Sequence, residues 1–228
     1  MKTRLFAIAL IILLIPAVCA GAAARPGAYM SGFIGATIPA DSNVTTDDFV
    51  LNSTFQDRVE FDPGLNLGVT GGYDFGYLRM EGELSYKHSN MKEIVDRSDD
   101  FHFRSVDGDL AALAIMFNSF ADLHTNSIIT PYFGGGIGFA TLYMGDTFGT
   151  DTRGGITTRS LLYLGDSDTV FAYQIGGGVA IALNPELSLD FGYRYFGTDT
   201  GRFGDNFDLI SRLKFESHNA TVGFRFRF

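Results

Sequence analysis

Tryptophan is absent from these 228 residues, and cysteine occurs once, at Cys19. A lone cysteine cannot close an intrachain disulfide, so no disulfide framework holds this chain together. Cations are also scarce: 17 Lys and Arg stand against 26 Asp and Glu, a formal charge of −9. Nucleic acid is thereby excluded as a partner, because phosphate backbones call for a basic patch. Beyond residue 20 no apolar run reaches the roughly 20 residues a membrane-crossing helix requires. Any passage through a membrane must therefore be made by strands.

The one long apolar run lies at the start. Lys2 and Arg4 precede the apolar segment 5–18, and Val18-Cys19-Ala20 supplies small residues for cleavage. This pattern is that of a secretory signal peptide over 1–20, with cleavage after Ala20, or as late as Ala22 or Ala24. Lipid attachment at Cys19 is the weaker alternative, since Pro16-Ala17-Val18 poorly matches the residues that precede a lipidated cysteine. Cleavage after Ala20 leaves a mature chain with no thiol, and the expected domain is 25–228.

What the chain has in quantity is Gly, 28 residues, and Phe, 22 residues. The stretch 171–196 shows how they are used. Two alternating runs flank Asn184-Pro185-Glu186, a connection short enough to close a β-hairpin. Setting Leu183 against Leu187 pairs Ile181 with Leu189, Val179 with Phe191, Gly177 with Tyr193 and Ile175 with Tyr195. The other face carries Gln174, Gly176, Gly178, Ala180, Asp190, Gly192 and Arg194. A soluble hairpin accommodates this segment taken alone. A barrel in lipid, apolar outside and small or polar inside, accommodates it as well.

The remaining segments repeat the pattern. A strand near 28–38 turns Met30, Ile34, Ala36 and Ile38 outward and Ser31, Phe33, Gly35 and Thr37 inward. A second hairpin turns at Phe75-Gly76, flanked by Asp74 and Tyr77. It pairs Tyr73 with Leu78, Gly71 with Met80, Val69 with Gly82, Leu67 with Leu84 and Leu65 with Tyr86 outward. Inward, Gly72 then faces Arg79, Thr70 faces Glu81, Gly68 faces Glu83 and Gly64 faces Lys87. A fourth strand near 108–118 points Ala111, Leu113, Ile115 and Phe117 outward. A fifth, near 130–142, alternates Phe133, Ile137 and Phe139 with Gly134, Gly136 and Gly138. The last, 218–228, alternates Val222, Phe224, Phe226 and Phe228 with Thr221, Gly223, Arg225 and Arg227, so each face needs its own environment. The expected fold is all-β, an eight-stranded antiparallel transmembrane up-and-down β-barrel with long extracellular loops.

Four long loops, 39–60, 88–107, 143–169 and 197–213, carry net charges of −4, −2, −2 and −1, and the rest of the chain is neutral. The acid therefore lies on the extracellular side. Tyr73, Phe75, Tyr77 and Tyr132 near the short turns, with Tyr86, Tyr143, Phe171 and Tyr195 near the long loops, supply two interfacial belts without tryptophan.

Arg79, Glu81, Glu83 and Lys87 share one strand face, and Asp190, Arg194, Arg225 and Arg227 fall on the same interior. Two carboxylates at i and i+2 suit acid–base work or a cation, but with so many cations beside them a neutralising interior network is the better reading. The Gly-rich run 131–140 lacks the helix start and the Lys-Ser/Thr pair of a phosphate loop. His88-Ser89 and Ser217-His218 are sequence neighbours, so in a strand their side chains point to opposite faces. His102 and His124 fall in connections without an obvious partner. No catalytic, metal or cofactor residues are assigned. The sequons at Asn43, Asn52 and Asn219 carry no weight in a bacterial host.

Several motifs together bear a resemblance. They are Gly71-Gly72-Tyr73, Leu78-Arg79-Met80-Glu81, Thr130-Pro131-Tyr132 leading to Gly136-Ile137-Gly138, Phe191-Gly192-Tyr193-Arg194-Tyr195, and Gly223 through Phe228. As a set they resemble the opacity-protein and OmpA-type superfamily of small outer-membrane barrels, in its surface-antigen-like branch. The resemblance implies that Phe224, Phe226 and Phe228 form the signal read by the barrel-assembly machinery. It implies residence in outer-membrane lipid and host or cell-surface ligands met through the four loops; the chain departs from the family in stopping at the barrel, so no peptidoglycan-binding domain is expected. The expected function is a non-enzymatic surface antigen, adhesion or envelope-structural protein. A small porin with a narrow or closed channel is the alternative, and an outer-membrane lipid hydrolase a more remote one.

Overall fold

The computed structural model describes residues 26–48, 52–96, 101–103, 105–123, 127–153, 156–163, 165–204 and 209–228. The signal-peptide segment and His124 lie outside the described residues. In chain order the strands are β1 (Gly27–Pro39), β2 (Ser42–Asp48), β3 (Ser53–Phe61), β4 (Gly64–Asp74), β5 (Leu78–Asp96), β6 (Phe101–Phe103) and β7 (Ser105–Asp107). They continue with β8 (Asp109–Asp122), β9 (Ile129–Met144), β10 (Thr147–Arg153), β11 (Ile156–Tyr163), β12 (Asp166–Ala182), β13 (Leu187–Phe203) and β14 (Leu209–Arg227).

Eight of these strands form a closed antiparallel ring, running β1, β4, β5, β8, β9, β12, β13 and β14. The last strand returns to the first, from Tyr29 opposite Arg227 to Pro39 opposite Ser217. Closure removes both sheet edges, which is what lets strands reside in lipid with every backbone group paired. The alternation decides which way the sheet faces. Met30, Ile34, Leu67, Val69, Ile115, Phe117, Ile137, Phe139, Ile175 and Phe224 are exposed on the outside. In a membrane that exposed greasy band is solvated by hydrocarbon. The expected eight-stranded up-and-down barrel is thus the fold.

Turn chemistry sets the hairpin registers. At the β12–β13 turn the Asn184 Oδ1 accepts from the backbone N–H of Glu186 at 2.9 Å and of Leu187 at 2.7 Å. An Asn side chain bonding its own backbone is a standard turn device. The pairing that results, Ile181 with Leu189 through Ile175 with Tyr195, is the one the alternation predicts.

The β4–β5 hairpin departs from expectation by two residues. Tyr73 faces Met80, Val69 faces Leu84 and Leu65 faces His88, so Arg79 lies opposite Asp74, Glu81 opposite Gly72, Glu83 opposite Thr70 and Lys87 opposite Asn66. The cause is local. Asp74 Oδ1 accepts from the Gly76 N–H at 2.7 Å, Gly76 adopts φ 108°, and the Phe75 N–H donates to the Leu78 carbonyl at 2.8 Å. The connection is thereby wider than the two-residue turn at Phe75-Gly76. A shift of two preserves the side-chain phase, so no residue changes face.

The long loops are the second departure. Much of 39–60, 88–107, 143–169 and 197–213 is strand. The β2–β3 hairpin bridges β14 and β5 above the ring, and β7, β10 and β11 form a small sheet of their own. Barrel strands reach 19 residues in β5 and β14, where about 9–11 suffice to cross a bilayer. Their extensions enclose an apolar core that includes Val44, Val59, Ile94, Leu110, Leu142, Phe196, Phe203 and Leu213. Leu110, Leu142, Phe196 and Leu213 continue the inward phase of their barrel strands, Ile94 and Phe203 turn inward after register shifts in β5 and β13, and Val44 and Val59 come from the β2–β3 hairpin.

Glycine makes the wall thin where it must be. A Cβ on Gly136 would stand 2.0 Å from Asn118 Oδ1 and 2.5 Å from the Phe117 carbonyl. Gly136→Val should therefore destabilise the barrel by about 1–3 kcal/mol through overpacking. Urea titration of protein refolded into lipid vesicles checks this, with Gly71→Ala as control, since a Cβ there meets nothing within 4 Å.

Candidate functional site

Two levels fill the barrel. At membrane level the described interior holds five cations, Arg79, Lys87, Arg194, Arg225 and Arg227, and five carboxylates, Asp74, Glu81, Glu83, Asp122 and Asp190. Above it sits the apolar core.

Arg194, on β13, reaches across to β5, ion-pairing with Glu83 and with Glu81 at 3.6 Å. Asn118 on β8 donates to Glu83 at 2.9 Å and to Glu81 at 3.3 Å, and Gln174 on β12 donates to Glu83 at 3.0 Å. The two carboxylates are therefore bridged by Arg194 from across the barrel and by Asn118 from the neighbouring strand. Tyr29 adds a hydroxyl donor to Glu81 at 2.6 Å. Arg225 pairs with Asp190 at 2.5 Å, which also accepts from the Tyr132 hydroxyl at 2.5 Å. Nearer the short turns, Arg227 pairs with Asp74 at 2.7 Å, and Arg79 with Asp122 at 3.3 Å.

Aromatic rings cover what the carboxylates leave open. The Arg79 guanidinium, 1% exposed, lies 4.7 Å from the Tyr132 ring, 5.2 Å from Phe120 and 5.8 Å from Tyr29. The Lys87 ammonium sits 4.1 Å from the Phe196 ring and donates to Ser85 Oγ at 3.0 Å. Such desolvated cation–π contacts are worth about 2 kcal/mol each. Among these groups is a cavity of about 20 Å³, bordered by Ser31, Phe33, Arg79, Glu81, Asp190 and Arg225, room for about one water.

The structure brings all eight interior charges named from the sequence into this lumen. Asp74, Asp122, Phe120 and Tyr132 complete it and were not assigned there. Phe120 and Asp122 had a readable signal: they extend the inward alternation of Ala112, Ala114 and Asn118, because β8 continues four residues beyond 118. Tyr132 is a correction. Instead of joining the belt near the short turns it is 5% exposed inside the barrel, on the same phase as Gly134 and Gly136. Tyr73, Phe75 and Tyr77 are exposed at that end as expected.

On the outer wall, Phe224, Phe226 and Phe228 occupy one exposed row of β14, and the rings of the last two meet edge-on at 5.2 Å. His88 and His218 also face outward. His218 Nδ1 is 2.6 Å from the Tyr193 hydroxyl, and His88 Nδ1 is 3.8 Å from Asp109. Their sequence neighbours Ser89 and Ser217 are buried inside. Neither adjacent pair places nucleophile beside base. The His102 side chain lies outside the described residues. Above the membrane, Asp47 accepts from Arg212 at 2.5 Å and from the Thr54 hydroxyl at 3.0 Å, and these two donors hold its carboxyl below the usual carboxylate range.

Comparison with known proteins agrees with this geometry. The family model described as outer membrane protein beta-barrel domain matches residues 8–228. The outer membrane protein PagN of Salmonella typhimurium is 26% identical over 204 residues, covering 81% of this chain and 80% of PagN. An uncharacterized protein of Brucella abortus is 29% identical over 175 residues, 71% of this chain but only 57% of its own length. The outer membrane protein OprG from Pseudomonas aeruginosa superposes with a TM-score of 0.58 over 92% of this chain and 99% of OprG; at 15% identity the likeness is one of fold. The chain belongs to the outer membrane protein beta-barrel domain family and is an outer-membrane β-barrel protein.

Proposed function

We propose that this barrel is a non-enzymatic surface protein: a plugged anchor carrying a β-structured platform whose acidic exterior meets host or other cell-surface ligands. The carrying observation is the division of the chain. The lumen is occupied by balanced charge and then by an apolar core, whereas strands of up to 19 residues lift side chains clear of the bilayer. A buried, paired network favours a closed lumen over a solute path, because each ion would be costly to expose without its partner. In this reading Arg79, Glu81, Glu83, Lys87, Asp190, Arg194, Arg225 and Arg227 act as the neutral plug, and 1–20 as the export signal. Phe224, Phe226 and Phe228 serve the barrel-assembly machinery.

The test uses whole cells. Replacing 147–163, the β10–β11 hairpin, with a short Gly-Ser turn should reduce adhesion to epithelial cells and serum binding while heat-modifiable migration shows an assembled barrel. Unchanged binding would move the function off this platform. In planar bilayers the refolded wild type should pass no steady current. Stable solute-passing conductance would instead favour the porin reading.

A further inference from the structure

The geometry points to an anion seat on the side wall of the barrel, where Arg202 and Arg212 take a phosphate or carboxylate of the lipopolysaccharide core in the surrounding leaflet. The two arginines face each other directly across the β13–β14 ladder. Both lie on the outer phase, since Gly201, Phe203, Ser211 and Leu213 beside them are buried. Like charges directly opposite in a ladder destabilise it unless something neutralises them. Asp47 serves Arg212 at 2.5 Å, and Lys214 two residues below is matched by Glu216. Among the described residues no carboxylate lies within ion-pair distance of the Arg202 guanidinium. Its backbone N–H donates to Asp168 at 2.9 Å, so the strand is fixed while the side chain stays exposed.

Height identifies the source of the anion. On the outer row of β14, Phe228, Phe226, Phe224 and Val222 are exposed apolar residues, and His218 with its Tyr193 partner follows. Ten residues at about 3.3 Å rise, tilted about 40°, span roughly 25 Å, the thickness of the apolar band of such barrels. His218 therefore marks the outer boundary, and Arg212 stands about 15 Å above it by the same arithmetic. Phospholipid headgroups extend only about 5–8 Å past the hydrocarbon. At 15 Å, facing sideways, the arginines meet the sugar-acid and phosphate layer of lipopolysaccharide. Guanidinium forks bind such oxygens bidentately.

The full chain, refolded in detergent micelles, is titrated with rough-form lipopolysaccharide bearing a phosphorylated inner core, with lipid A lacking the core, with phosphatidylglycerol and with a heparin oligosaccharide. Wild type should prefer the rough form to lipid A by about tenfold, the value of one charge-assisted contact. Arg202→Ala should erase that preference, and Arg202→Lys should restore part of it. Arg202 is exposed, so heat-modifiable migration of Arg202→Ala should match wild type. Equal affinity of Arg202→Ala and wild type for the rough form would overturn the assignment. So would binding of lipid A or phosphatidylglycerol as tight as that of the rough form, or heparin binding without the lipopolysaccharide preference.

Discussion

Arg194→Ala should lower the unfolding free energy by roughly 3–5 kcal/mol, the cost of removing one partner from a buried charge pair. The side chain bridges Glu81 and Glu83, each almost fully buried, and after truncation Glu83 loses its ion pair and keeps the neutral donors Asn118 and Gln174 and the longer-range attraction of Lys87. Lysine at 194 should recover part of the loss, because an ammonium supplies charge but not a planar fork that spans two carboxylates. Arg194→Ala combined with Glu83→Gln should cost less than the sum of the two single changes, since the orphaned charge is removed with its partner. Arg58→Ala is the contrast. That arginine pairs with Asp41 at the surface and should contribute about 0–1 kcal/mol. Equilibrium urea titration in lipid vesicles measures all five variants, Glu83→Gln included. A loss under about 1 kcal/mol for Arg194→Ala would mean that water reaches the network freely, and the plug would have to be abandoned.

Ile115→Arg should destabilise the protein by about 2–4 kcal/mol in a bilayer, the cost of a cation at mid-membrane on a lipid-facing strand. Ile115 is 67% exposed, central in β8 and flanked by Leu84 and Phe139 on the neighbouring strands. For a surface in water, so exposed a position would tolerate the change within about 0.5 kcal/mol. The sign and size of this one substitution therefore report the solvent of the outer wall. The same change near an interface, Ile38→Arg on β1, should cost only about 0–1 kcal/mol, because a long cationic side chain there can reach the headgroups. Ile38 pairs with His218, which places it at the outer boundary. Equal penalties at the two positions would contradict the assigned membrane band.

The phase of the strands was legible because alternation has a period of two and each face has a distinct solvent. Phe224-Arg225-Phe226-Arg227 admits no other arrangement once the sheet is closed, and the β12–β13 register follows from Asn184 and the pairs that flank it. The β4–β5 register was not legible, because the Asp74 side chain competes for the Gly76 N–H and enlarges the turn. Sequence reasoning placed Arg194 and Glu83 on a common interior, but not in contact. They are 111 residues apart, and only closure of the ring brings their strands to opposite walls at one height. The loops misled for a different reason. Val44, Val59, Ile94 and Leu213 are spaced among so many Asp, Asn and Thr that each segment alone reads as polar. Their common apolar core exists only when four separate chain segments converge.

By itself, then, the sequence determined the eight barrel strands, nearly all of their inward and outward faces, and the closed barrel in an outer membrane, because side-chain alternation and turn residues act over short stretches. Tertiary structure alone decided which charges meet, and that the strands continue above the membrane around a core of their own. Those outcomes depend on contacts between residues far apart in the chain, and no local pattern encodes the height at which two distant strands come together.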